Sequence, residues 1–164
     1  MSKKHDKTPK TNAARLLDAA GIEYSLITYP VDEEHLDAIH VAESIGEDIN
    51  RVFKTLVLRG ERCGLFVCVI PGNAEVDLKK AAQAIGDKKV DLIAVRELLP
   101  LTGYIRGGCS PIGMKKPLPT MIHTSAENFD TIYVSAGVRG MQICIAPNNL
   151  TAIANATIKD LIKQ

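Results

Sequence analysis

Arg51-Val52-Phe53-Lys54-Thr55-Leu56-Val57-Leu58 is the stretch on which the fold turns. Its β-branched and aromatic residues read as a buried strand. Side chains alternate along a strand, so Val52, Lys54, Leu56 and Leu58 share one face. An ammonium among apolar side chains is costly, and such a lysine must find a partner, lose its proton or face a cleft. Two readings of Lys54 stand side by side. It is an edge-strand lysine that discourages sheet-to-sheet pairing, or it lies at the floor of a substrate pocket.

Working outward, the turn from Gly60 to Gly64 and the apolar run Leu65 to Ile70 predict a hairpin with this strand. Asp77 is an N-cap for a helix over Leu78 to Ile85, which Gly86 ends. Upstream, Thr8 caps a first helix with Pro9 at its first position and Gly21 at its end. Glu23 to Tyr29 alternates as a strand, and His35 to Ile45 forms a helix closed by Gly46. Downstream, Val90 to Val95 is a short strand, and Arg96 to Leu99 a helical turn before Pro100. Strands follow at Thr120 to His123, Thr131 to Ser135 and Met141 to Ala146. A final helix, capped by Asn148 or Asn149, has the stripe Leu150, Ile153, Ala154, Ile158 and Leu161. Helices and strands intermix without regular βαβ alternation, so the expectation is a single α+β domain with a mixed sheet. Residues 1–8 read as a flexible basic arm and 9–164 as that domain.

Composition removes several function classes. The 164 residues suit one domain with a sizeable core, and 46% hydrophobic against 24% charged is ordinary for a globular chain. Aromatic residues are only 4%, with no Trp, which argues against a base-stacking surface. Net charge is +1, so nucleic acid would have to be held by a local patch such as Lys79-Lys80, Lys88-Lys89 or Lys115-Lys116. Cys63, Cys68, Cys109 and Cys144 form no C-x-x-C pair, and the four histidines lie in no finger-like spacing. The N-terminus is polar and no apolar run approaches ~18 residues. The chain therefore reads as a reduced, cytoplasmic protein with no membrane segment, no metal, no disulfide and no cofactor.

Four glycines fall within Gly103 to Gly113. Glycine lets a backbone approach a ligand and aim successive N–H groups at an anion, although a purely structural turn uses the same residues. The spacing of Gly108 and Gly113 suits a phosphate loop, but Met114 stands where the lysine is required and Pro117 and Pro119 block the following helix. Ser135 sits at a strand-to-loop junction without a G-x-S-x-G elbow or an evident histidine base, so no hydrolase triad is supported.

Taken in order, Val52-Phe53-Lys54-Thr55-Leu56, Asp77-Leu78-Lys79-Lys80, Thr102-Gly103-Tyr104, Gly107-Gly108-x-Ser110-Pro111-Ile112-Gly113-x-Lys115-Lys116 and Val134-Ser135-Ala136-Gly137-x-Arg139-Gly140 resemble the YbaK/EbsC proteins. These are free-standing relatives of the editing domain inserted in bacterial prolyl-tRNA synthetases. The resemblance spans nearly the whole chain. It implies an α+β domain around a mixed, barrel-like sheet with flanking helices. It implies an aminoacyl-tRNA deacylase that clears mischarged tRNA in trans, chiefly cysteine on tRNA(Pro) and also on tRNA(Cys), with prolyl-tRNA synthetase as an associated partner. It maps the essential lysine onto Lys54 and substrate-pocket residues onto Tyr29, Gly107 and Ser135.

Gly108 and Gly137 in the same motifs join the substrate-binding set, and Lys115 and Lys116 are the candidate tRNA contacts. Backbone N–H groups at Gly107 and Gly108 are expected to stabilise the oxyanion of a cleaving ester. The resemblance also implies that a cysteinyl substrate supplies its own thiol nucleophile. One position departs: cysteine-type relatives carry an aspartate where this chain has Gln142. Deacylation of alanyl-tRNA(Pro), or a silent module that binds aminoacyl-tRNA or a synthetase, therefore remain as alternatives.

Overall fold

Phe53–Gly60 forms β2 and Gly64–Pro71 forms β3, an antiparallel hairpin in register from Phe53↔Pro71 to Gly60↔Gly64. In the computed structural model, which describes residues 10–164, this hairpin organises eight strands and five α-helices. β2 and β3 lie inside a five-stranded sheet of order β4-β2-β3-β5-β8, with β4 at Val90–Leu92, β5 at Thr120–His123 and β8 at Ala156–Lys159. The β3–β5 and β5–β8 pairs are parallel and the rest antiparallel, so the sheet is mixed. A second, three-stranded sheet orders β1 (Ser25–Thr28), β7 (Met141–Ile145) and β6 (Ile132–Ser135), all antiparallel. The expected single barrel-like sheet is therefore two sheets, and no closed barrel forms.

Among the described residues, one isolated parallel bridge, Val52↔Tyr133, joins the two sheets. A polar clamp holds it. Arg51 donates through Nε to the Thr131 carbonyl at 3.1 Å, through Nη2 to Thr131 Oγ1 at 2.6 Å and through Nη1 to Glu47 Oε1 at 2.9 Å. Tyr133 donates its hydroxyl to Glu47 Oε2 at 2.9 Å, and the guanidinium lies 5.1 Å from the Tyr133 ring centroid. A planar fork serves all of these contacts at once, which a lysine cannot do.

Alternation sorts the core. Phe53 and Val57 pack with Ile132, Val134, Ile143 and Ile145 between the sheets. On the opposite face of β2, Leu56 and Leu58 pack under α3 (Leu78–Ile85), whereas Val52 packs with Tyr133 under α2 (Ala38–Ile45). α2 sits close because Gly72 leaves room: a Cβ there would lie 2.3 Å from that of Ala38. Asp77 caps α3 and Gly86 ends it, as the sequence predicts.

Other boundaries move. The first helix, α1 (Asn12–Ala19), is capped by Thr11, whose Oγ1 accepts from the Ala14 N–H, and not by Thr8. Thr8, Pro9 and the predicted arm over residues 1–8 lie outside the described residues. α2 begins at Asp37, whose side chain caps it, instead of at His35. α4 (Val95–Thr102) runs through Pro100, because the missing N–H falls on the exposed side of a final turn closed by the bond from the Gly103 N–H to Leu99 O. The predicted C-terminal helix splits. α5 (Pro147–Ala154) has Pro147 as its first residue and ends at Asn155, left-handed at φ 50°; the chain then turns into β8 beside β5. Ile158 and Leu161 are thus strand and tail residues. Among the described residues no helix is long and apolar enough to cross a membrane.

Arg51→Lys should lower stability by about 1–3 kcal/mol, since it leaves charge-assisted bonds to Thr131 and Glu47 unmade. Urea denaturation checks this; an unchanged midpoint would mean that the sheets join without the clamp.

Candidate active site

The bridge at Val52↔Tyr133 fixes what lies beside what. Bridged residues point to one side, and alternation returns to that side two residues later. Beyond the bridge this brings Lys54 on β2 level with Ser135 on β6, where strand pairing between the sheets has stopped. Ser135 pairs with Gln142 on β7, and Gln142 pairs with Ile27 on β1. Lys54, Ser135 and Gln142 therefore form a transverse row on one face, next to the apolar row of Val52, Tyr133 and Cys144. No ladder pair joins the two sheets at this row, and its side chains border a cavity of about 390 Å³.

Three further segments wall it. Leu36, Asp37, Ala38 and Val41 come from the start of α2 and the loop before it. Ile93 to Val95 and Leu98 come from the end of β4 and from α4. Arg106, Gly107 and Cys109 come from the glycine-rich loop, which is tied down at several points. The Tyr104 hydroxyl donates to Ile112 O at 2.6 Å, the Gly108 N–H to Ile105 O at 2.9 Å, and Arg139 Nε to Arg106 O at 2.8 Å. Gly107 has φ +85°, a left-handed conformation that favours glycine, and a Cβ there would meet Leu36 and Arg139 at 3.4 Å.

Burial lowers the pKa of Lys54, while the fields of Glu75 and Asp37 oppose the shift. Neither comes within ion-pair distance, and among the described residues no side chain hydrogen-bonds the ammonium. The lysine is thus a half-buried amine with no counter-ion among the described residues. Burial pushes the Cys109 thiol up to about 12, the reverse of what a nucleophilic cysteine needs. Ser135 Oγ accepts from the Gly137 N–H at 3.1 Å, and among the described residues no histidine borders the cavity. The site offers electrostatic stabilisation and hydrogen bonds without an activated protein nucleophile. Among the described residues no three His, Cys, Asp or Glu side chains gather as metal ligands.

Of the residues singled out in the sequence, Lys54, Gly107 and Ser135 border this cavity. Tyr29 borders a smaller one of about 70 Å³ beside it, which shares Gly107 and is also lined by His35, His40 and Arg139. Gly108 and Gly137 border neither. The Gly108 N–H is committed to Ile105 O, so the expected oxyanion donors reduce to Gly107. Gly137 packs against the Tyr104 ring, where a Cβ would come within 3.0 Å. Lys115 and Lys116 are exposed and outside both cavities, although the Lys115 N–H anchors the loop by donating to Thr102 O at 2.8 Å. Sequence reading missed the walls from α2 and α4, whose residues carry only core-like apolar patterns. It noticed Gln142 only as a departure from relatives, not as the neighbour of Ser135.

The aminoacyl-tRNA editing domain family model matches residues 32–153, which span every wall of the cavity. A protein of Enterococcus faecalis, EbsC, named as a Cys-tRNA(Pro)/Cys-tRNA(Cys) deacylase, is 47% identical over 161 residues, covering 98% of each chain. A proline–tRNA ligase of Thermosipho melanesiensis is 27% identical over 92 residues, 51% of this chain but 16% of the ligase. Among solved structures, one described as a trans-editing enzyme for prolyl tRNA synthetase superposes with a TM-score of 0.81 at 24% identity, covering 95% of this chain and 100% of the other. That likeness establishes the shared fold. By family model and near full-length identity, the chain belongs to the aminoacyl-tRNA editing domain family, the one that its YbaK/EbsC-like motifs resemble.

Proposed function

We propose that this protein is an aminoacyl-tRNA deacylase that clears mischarged tRNA in trans, chiefly cysteine esterified to tRNA(Pro), in the cytoplasm and alongside prolyl-tRNA synthetase. The observation that carries the reading is Lys54: a lysine that, among the described residues, has no counter-ion and lies in a mostly apolar cavity without an activated protein nucleophile. Such a site suits a reaction whose nucleophile arrives with the substrate or as water. The similarity to EbsC and to part of a proline–tRNA ligase supports the substrate class.

For a cysteinyl ester the substrate thiol bonds to the carbonyl carbon, the bond from that carbon to the ribose oxygen breaks, and the thiol proton ends on the ribose oxygen. Holding thiol and carbonyl together makes the attack intramolecular, a large rate advantage without a Ser–His pair. Lys54 faces the negative charge that develops on the ester, and the Gly107 N–H adds a donor. Tyr29 and Ser135 orient the ribose and the acyl group. Lys115 and Lys116 extend the contact to tRNA phosphates.

The decisive experiment is deacylation of Cys, Ala and Pro esters on tRNA(Pro), with Cys on tRNA(Cys) alongside. Cysteinyl-tRNA(Pro) should be hydrolysed fastest; preference for the alanyl ester would reassign the substrate, and hydrolysis of none would leave a binding module. Lys54→Ala should reduce the rate by ~100-fold or more while the far-ultraviolet spectrum is preserved. Because burial lowers the folded pKa of Lys54 below its unfolded value of ~10.4, the charge burdens the fold at neutral pH, and the burden fades as pH rises through the folded pKa and is gone above the unfolded one. Lys54→Met should therefore be more stable than wild type near neutrality, with the gain shrinking towards alkaline pH in matched urea titrations. Cys109→Ala should retain most activity; a trapped acyl group on Cys109 would contradict the assignment. Lys115→Ala/Lys116→Ala should weaken binding of every tRNA alike and reduce the salt slope by roughly 0.7–0.9 per lost phosphate contact.

A further inference from the structure

Gln142 lies in the same row as Lys54 and Ser135 and is only 5% exposed. Its Oε1 is buried and, among the described residues, accepts no hydrogen bond. Buried polar atoms are nearly always paired, and one left unpaired against a cavity wall points to a ligand group. Gln142 borders the cavity, so a rotation of its amide would turn the oxygen towards a donor that enters there.

The row is also polarised. Lys54 puts a positive charge at one end, the neutral Gln142 amide sits two strands away, and Ser135 lies between. An α-aminoacyl ester is polarised in the same sense. Its carbonyl gathers negative charge during cleavage, and its α-ammonium is repelled by a lysine. Carbonyl towards Lys54 and ammonium towards Gln142 is an orientation in which both ends are met, and the Asp37 carboxylate in the same wall is engaged in capping α2 through the His40 N–H. An amide oxygen suits this task because it accepts a hydrogen bond from an ammonium.

We propose that Gln142 receives the α-ammonium of the esterified amino acid, so that the site requires a free α-amino group and rejects esters that lack it. The proposal rests on the reading of the cavity as an aminoacyl-ester pocket. It makes Gln142 a specificity-determining residue for the class of α-aminoacyl esters, separate from any selection among amino-acid side chains.

The test pairs an ammonium-bearing ligand with one that lacks it. Two stable probes are tRNA ending in 3′-amino-3′-deoxyadenosine acylated with alanine, and the same tRNA acylated with propionate. Their binding to wild type, Gln142→Leu and Gln142→Glu is measured, along with hydrolysis of the ordinary cysteinyl and 3-mercaptopropionyl esters. Wild type should prefer the alanyl probe and the cysteinyl ester by tenfold or more. Gln142→Leu should erase most of that preference by weakening only the ammonium-bearing member. Gln142→Glu, with an oxygen at both terminal positions, should keep it.

Equal losses on both members of a pair in Gln142→Leu, or no preference in wild type, would overturn the proposal. The functional reading fails separately. If no ester is cleaved but the alanyl probe is still preferred through Gln142, the recognition stands and the deacylase assignment falls.

Discussion

A single strand bridge, Val52↔Tyr133, sets the geometry on which the site depends. Two sheets that share a core are joined strand to strand at this point, and pairing stops immediately beyond it. Full pairing would give a continuous sheet with no opening. The bridge sets the register of Lys54 against Ser135. The clamp of Glu47, Arg51, Thr131 and Tyr133 supplies directional bonds at that junction, so the opening starts at a defined residue. This is a precise way to build a cleft: terminate a ladder and let side chains from the next row face the gap.

What faces the gap is electrostatically unfinished. Among the described residues Lys54 has no ion-pair partner, and Gln142 has an oxygen with no donor. Each is a defect by the standards of a stable core, and together they describe the charge pattern of a ligand. The remaining wall is apolar, so interactions in the cavity are less screened than at the surface. Buried Cys109 illustrates the other side of this environment. The low polarity that strengthens a fixed cation's effect also suppresses thiolate formation, and a cysteine in the glycine loop is thereby a packing residue.

Local chemistry was legible wherever a short-range interaction decides structure. The hairpin over β2 and β3 and the capped helix α3 follow from turn glycines and from the Asp77 carboxylate. Sequence failed where periodicity is ambiguous. Leu150, Ile153, Ala154, Ile158 and Leu161 fit a helical stripe, but Asn155 breaks the helix and Ile158 is buried through parallel pairing with β5. Pro100 reads as a stop in the sequence, but an exposed last turn tolerates its missing N–H.

The site divides along the same line. Lys54 could be picked out from sequence because alternation alone exposes a charge on an apolar strand face, and the ordered motifs carried the family. The sequence could not say that Gly108 and Gly137 are held in loop architecture, since that depends on Ile105, Tyr104 and Ser135. Nor could it separate an edge lysine from a pocket lysine. That choice belonged to the register between β2 and β6, which brings together residues some eighty positions apart. Periodicity and capping act over a few residues and are written in the chain; strand register between distant segments is settled only when both sheets pack on their shared core.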